Sequence, residues 1–267
     1  MSSASLAAEP LVNCENISII YKSPRMSLLG KRSQFLALKD VTLRIESGES
    51  LGIVGSSGAG KTTFAKVISG QVLPSTGTFK FRGGDPLLKN KEMYGEFRRS
   101  VQYVFQNPKS SFDPRIKIGR ALIEPLRSFK IEGNHNEMVT TSLDTVGLDR
   151  GVFVRYPHEL SGGQLQRAAI ARALVVKPKL LIADEPASSL DVSIRAQVLN
   201  LFKELSDTGD LTLVLIAHDL AAVAHTSRKL AVFESGRVVE SGLAFEILKN
   251  PQSDAARRLV EANLTIA

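Results

Sequence analysis

The chain has 267 residues and 29.0 kDa, with 43% apolar and 23% charged residues, values that suit one large globular domain or two closely joined subdomains. Its net charge of +7 favours polyanions, but the basic residues are scattered without a run of five or six, which reads as a solvated surface and not as a nucleic-acid arm. A lone cysteine, Cys14, excludes an internal disulfide and any zinc or cluster site built wholly from this chain's thiols.

The opening residues MSSASLAAEP lack the basic leader and apolar core of a secretory signal. The longest apolar stretch, Leu211 to Ala217, reaches about a third of a spanning helix. The expectation is a cytoplasmic, soluble chain that meets a membrane through a partner. In chain order, Val12 to Tyr21 and Leu36 to Ile45 read as strands, and Ser50 to Val54 as a short buried strand. A helix is expected from Lys61 to about Ser69, followed by strands at Thr78 to Arg82 and Val101 to Phe105. Polar helical segments near Glu92 to Arg99, Gly119 to Ser128 and Asn136 to Val146 are separated by proline-bearing loops such as QNPKSSFDPR. Strands return at Leu180 to Ala183, Thr212 to Ala217 and Leu230 to Phe233, with a helix near Ser193 to Asp207. Buried runs alternating with helices predict an α/β fold with a mostly parallel sheet covered on both faces, interrupted by a helical insertion.

The stretch GSSGAGKTT follows the buried run ending at Val54. Gly55-x-x-x-x-Gly60-Lys61-Thr62 matches a phosphate-cradling loop, spanning Gly55, Ser57, Gly58, Ala59, Gly60, Lys61, Thr62 and Thr63. Glycines let backbone N–H groups turn onto phosphate oxygens, and the helix that starts here adds its positive end. Lys61 supplies a point charge for the β/γ-phosphates and Thr62 a hydroxyl for Mg2+. The run LLIADEP supplies the matching acids: Asp184 for the metal's water shell and Glu185 to orient and deprotonate the attacking water. These residues predict that the chain binds and hydrolyses a nucleoside triphosphate.

The stretch ELSGGQLQRAAIARAL resembles the ATP-binding cassette family, whose signature reads here Leu160-Ser161-Gly162-Gly163-Gln164 at the start of a helix running to about Val175. The resemblance covers nearly the whole chain and implies a P-loop NTPase core with an antiparallel β portion near the N-terminus. It implies roles for further residues: Tyr21 stacking on adenine, Gln106 of VFQNP sensing γ-phosphate and metal, Asp191 of SSLD at a dimer interface, and His218 of LIAHD on the γ-phosphate. With ATP and Mg2+ as cofactors, Glu185, His218 and Lys61 would carry catalysis. Thr62, Gln106 and Asp184 would face the metal. The expected divisions are 1–88 and 169–241 for the core, 89–168 for the helical subdomain and 242–267 for a tail.

The family logic places one subunit's signature over the ATP of another, so the site is intermolecular. The stretches VFQNPKSSFDPR, LSGGQLQRAAIARAL and LDVSIRAQVLNLF resemble the peptide and nickel importer ATPases. The basic segment between Tyr21 and Leu36 resembles the second of the two ATPases that such importers employ. This implies uptake of oligopeptides or dipeptides, with nickel or another small solute as the next choice. The implied partners are a second, related ATPase subunit, two membrane permeases docked through the region Gln106 to Arg127, and a solute-binding protein. The implied location is the cytoplasmic face of a bacterial inner membrane. A DNA-repair cassette would carry long heptad stretches and a translation-factor cassette protein a second cassette. Neither is present, and no nucleic-acid partner is expected.

Overall fold

A computed structural model describes residues 9–22, 34–87 and 90–264. The basic segment used for the subfamily resemblance therefore lies largely outside the described residues. Among those described, β1 (Val12–Lys22), β2 (Gln34–Ile45) and β4 (Thr76–Phe81) form a three-stranded antiparallel sheet in the order β2-β1-β4. Between β2 and β4 run β3 (Ser50–Gly55) and α1 (Lys61–Ile68). The second sheet has the order β5-β6-β7-β3-β8-β9, built from β5 (Val101–Val104), β6 (Leu180–Asp184), β7 (Thr212–Ile216), β8 (Lys229–Glu234) and β9 (Arg237–Leu243). Its strands pair in parallel from β5 through β8, and β9 closes the edge antiparallel to β8.

Every residue of β3, β6 and β7 is buried, as their continuous apolar runs require of strands covered on both faces. Alternation divides them between two cores. Leu181, Ala183, Leu213 and Leu215 face the helical side, while Leu180, Ile182, Val214 and Ile216 pack with Leu51, Ile53 and Phe64 of α1 toward the antiparallel sheet. Central β3 is flanked by β7 and β8, so the carboxyl ends of β3, β6 and β7 open on one crevice, where ligands of such sheets bind.

The helical region holds α3 (Ile118–Ser128), α4 (His135–Thr145) and α5 (Gly162–Leu174) around Leu122, Leu126, Val139, Leu143 and Ile170. Past the region's expected lower limit, 89, helix α2 (Lys91–Ser100) sets Phe97 edge-on against Phe79 and Phe81 at 5.9 and 5.3 Å, and β5 is a strand of the main sheet. Both elements therefore stand with the core, and residue 168, the expected upper limit, falls inside the continuous helix α5. Helix α6 (Val192–Asp207) leads into β7. Past β7 lie α7 (Leu220–Thr226), α8 (Ala244–Lys249) and α9 (Asp254–Leu264), which the sequence reading did not resolve. Within residues 242–264 of the expected tail, Ala244, Ile247, Ala255 and Ala256 bury against Val54, Leu230 and Val232. No helix among the described residues is long and apolar enough to cross a membrane.

Candidate nucleotide site

The loop 56–60 leaves the end of β3 and enters α1 at Lys61. Two glycines make that path possible. Gly55 has φ +151°, and a Cβ there would sit 2.2 Å from the carbonyl oxygen of Phe233. Gly60, immediately before α1, has φ +102°, and a Cβ would meet the carbonyl oxygen of Ala37 at 2.8 Å. L-residues rarely tolerate either condition. The loop rims a depression of about 220 Å³ lined by Phe35, residues 57–63 and Glu185.

Lys61 is buried beneath the loop, where its ammonium donates to the carbonyls of Gly55 at 2.8 Å and Ser56 at 2.9 Å. Burial pushes its pKa down, opposed by the charges of Glu185 and Asp184. An ammonium has three N–H donors, so one is left for an anion lying in the depression.

Asp184, at the end of β6, is buried with both carboxylate oxygens engaged. Oδ1 accepts from the Thr62 hydroxyl at 3.2 Å and Oδ2 from the Tyr103 hydroxyl at 2.7 Å. Burial and the Asp184 charge and hydrogen bond push the Tyr103 phenol well above its ordinary pKa, so it stays a donor. The pairing of a hydroxyl and a carboxylate, both oxygen ligands beside a phosphate loop, fits a hard cation such as Mg2+. The loop, its lysine and these oxygens together fit a magnesium-bound nucleoside triphosphate.

Glu185 follows with φ +48°, a left-handed backbone that is strained for a glutamate and common at functional positions. Its N–H donates to the Ile216 carbonyl at 2.9 Å, which pins the end of β6 to β7. Its Oε2 accepts from the Gln106 amide at 2.9 Å and lies 4.0 Å from Nδ1 of His218, just past β7. Gln106 also donates to Ser188 Oγ at 3.3 Å. The fold thus gathers Lys61, Thr62, Asp184, Glu185, Gln106 and His218 at the strand ends.

Other expected site residues stand apart. None of residues 161–164 lines the loop's depression. Ser161 caps α5 by accepting from Gln164 N–H at 3.2 Å, while the Gln164 side-chain oxygen accepts from Ser161 N–H at 3.0 Å. That capping box fixes the exposed start of the helix. Gly163 has a packing reason to be glycine, since a Cβ would lie 2.5 Å from Cγ2 of Ile194 on α6. Asp191 precedes α6 without a side-chain capping bond and is exposed, beside an 82% exposed Val192.

Tyr21 is 40% exposed and pairs across the strands with Phe35, which is 62% exposed. Directly opposed residues share a sheet face, yet Phe35 borders the depression and Tyr21 does not. Phe35 and Tyr103 were both missed from the sequence. The signal for each is strand register, Phe35 opposite Tyr21 and Tyr103 opposite Ile182, which no local motif carries.

A family profile described as ABC transporter matches residues 38–188. The oligopeptide transport ATP-binding protein OppF of Salmonella typhimurium is 44% identical over 229 residues, covering 85% of this chain and 69% of that protein. The dipeptide transport ATP-binding protein DppF of Haemophilus influenzae is 40% identical over 255 residues, covering 95% and 78%. A dimeric post-hydrolysis structure of the ATP-binding cassette MJ0796, bound to ADP and Pi, superposes with a TM-score of 0.75 at 26% identity, over 87% of this chain and 98% of that one. With a phosphate loop, a paired Asp184-Glu185 and a capped signature helix in one fold, the chain belongs to the ABC transporter family and is one of its ATP-hydrolysing cassettes.

Proposed function

We propose that the chain energises a bacterial importer of oligopeptides or dipeptides. In this reading it is one of two related ATPase subunits, held at the cytoplasmic face of the membrane by two permeases that a solute-binding protein supplies. Relatives named for oligopeptide and dipeptide transport, matching most of the chain, support the substrate class. The observation that carries the intermolecular mechanism is the separation of two anion-binding elements: Ser161 caps an exposed helix start outside the depression that Lys61 serves.

The residues then divide the work. Backbone N–H groups of the loop and the third Lys61 donor hold the β- and γ-phosphates. Thr62 and Asp184 would hold Mg2+, which neutralises phosphate charge when bound, with Gln106 facing it. Glu185 orients the attacking water and takes its proton, while Gln106 fixes the accepting carboxylate and His218 reaches the γ-phosphate side. The partner's Ser161-to-Gln164 segment closes over this ATP, as this chain's own segment closes over the partner's. Asp191 and Val192 lie at that seam, and loss of the γ-phosphate opens it. Phe35 and Tyr21 form the ledge for the adenine. Permeases dock on the helical region around Gln106 to Arg127.

The test is to purify the complex with its co-purifying subunits and identify the bound solute, with and without Ser161→Arg. That change puts bulk and charge where the partner's ATP closes. Nucleotide binding at this chain's loop and subunit association are expected to persist, while ATP-driven closure and peptide uptake are lost. Full uptake by the variant would defeat the intermolecular reading, and a complex that carries no peptide would defeat the substrate assignment.

A further inference from the structure

In the last turn of α5, Arg172 carries a charge to which the hydrolytic reading gives no task. It is half-buried, and one of its N–H groups donates to the carbonyl of Ser111. Its guanidinium carbon stands 4.7 Å from the centre of the Phe112 ring. Burial pushes its pKa down, opposed by Glu124 on α3. A guanidinium is planar and always charged, which suits a group that must stack and donate at once.

Ser111 and Phe112 close the turn that Gln106 opens. The turn is cross-braced: the hydroxyls of Ser110 and Ser111 donate to the Asn107 carbonyl at 2.8 and 3.4 Å, and the Lys109 N–H donates to the Asn107 side chain at 3.0 Å. At its other end Gln106 holds Glu185. A continuous run of contacts therefore leads from Glu185 through Gln106 and a stiffened turn to Arg172, on the same helix that Ser161 caps.

We propose that Arg172 is a positioning residue that fixes the Gln106 turn to α5, so that engagement of Gln106 at the γ-phosphate and placement of the Ser161-to-Gln164 segment are set together. This rests on the roles given above to Gln106 and to the signature helix. A merely structural arginine would steady α5 equally with and without nucleotide. A positioning arginine makes the start of α5 respond to nucleotide.

Hydrogen exchange of the full-length chain, with and without Mg·ATP, separates the two. In the native chain ATP is expected to slow exchange in the loop amides 58–64 and also in 162–168. With Arg172→Met the response at 162–168 is expected to be lost while that at 58–64 persists and α4 exchanges as before. Arg172→Lys, which keeps a charged donor and loses the planar stack, is expected to restore part of the response. Phe112→Leu removes only the ring partner, is expected to weaken the same response, and serves in place of Arg172→Met should that variant fail to fold. If 162–168 respond equally in the variants, or do not respond in the native chain, the proposal is overturned with the ATP site intact. If 58–64 do not respond in the native chain, the nucleotide reading beneath it fails as well.

Discussion

Lys61 sits buried with its hydrogen bonds turned onto the carbonyls of Gly55 and Ser56, an arrangement that presents charge to the depression above. Charge-assisted contacts of this kind contribute roughly 1.5–3 kcal/mol. Lys61→Ala is therefore expected to weaken ATP binding by an order of magnitude or more in a titration, with the fold retained by circular dichroism. The ledge offers a second test. An aromatic contact of this sort contributes roughly 0.5–1.5 kcal/mol, so Phe35→Ala should raise the ATP dissociation constant by roughly twofold to tenfold. If Tyr21→Ala has that effect and Phe35→Ala has none, the adenine lies over Tyr21 alone. Gly55, Gly60, Lys61 and the Asp184-Glu185 pair were legible in the sequence because backbone geometry and metal chemistry demand those residue types at short, fixed spacing. Phe35 and Tyr103 were not, because strand pairing brings them in from distant parts of the chain.

Helix α5 joins the signature segment at one end to Arg172 at the other, and its start is fixed by a capping box and by contact with α6. The contact explains Gly163. A methyl group there would press on Ile194, and overpacking of this kind costs roughly 1–3 kcal/mol. Gly163→Ala is expected to lower the urea midpoint accordingly, and adding Ile194→Ala is expected to recover part of the loss. Unchanged stability in the single variant would show that α6 yields at no cost. The central strands were readable from their apolar runs, α2, α3, α4 and α6 from their helical texture, and α1 and α5 from the motifs that open them. Strand β9 was not: as an edge strand it alternates between exposed and partly buried positions with no buried residue. Helix α7 is a seven-residue segment begun by the Asp219 cap, which accepts from Ala221 and Ala222. Both are held by packing against β8 and β3 more than by local pattern.

At the scale of the molecule, the parallel sheet brings the phosphate loop, Asp184 and a strained Glu185 to one crevice, while residues 161–164 of the signature segment do not line the depression there. In the proposed function such a chain binds ATP by itself and completes the hydrolytic site with a second subunit. Its outline was legible from the motifs, whereas the packing of α2 on the core was not. Composition changes at residue 89, but Phe97 and β5 pack into the core layer beyond it. Central to the account is Glu185 as the group that takes the water's proton. Glu185→Gln preserves the shape and the hydrogen-bonding reach toward Gln106 and removes the base. Nucleotide retention and steady-state hydrolysis measured together on the assembled complex are expected to show ATP bound as in the parent and turnover reduced by roughly 10²–10⁴-fold. Near-parental turnover in that variant would contradict the account.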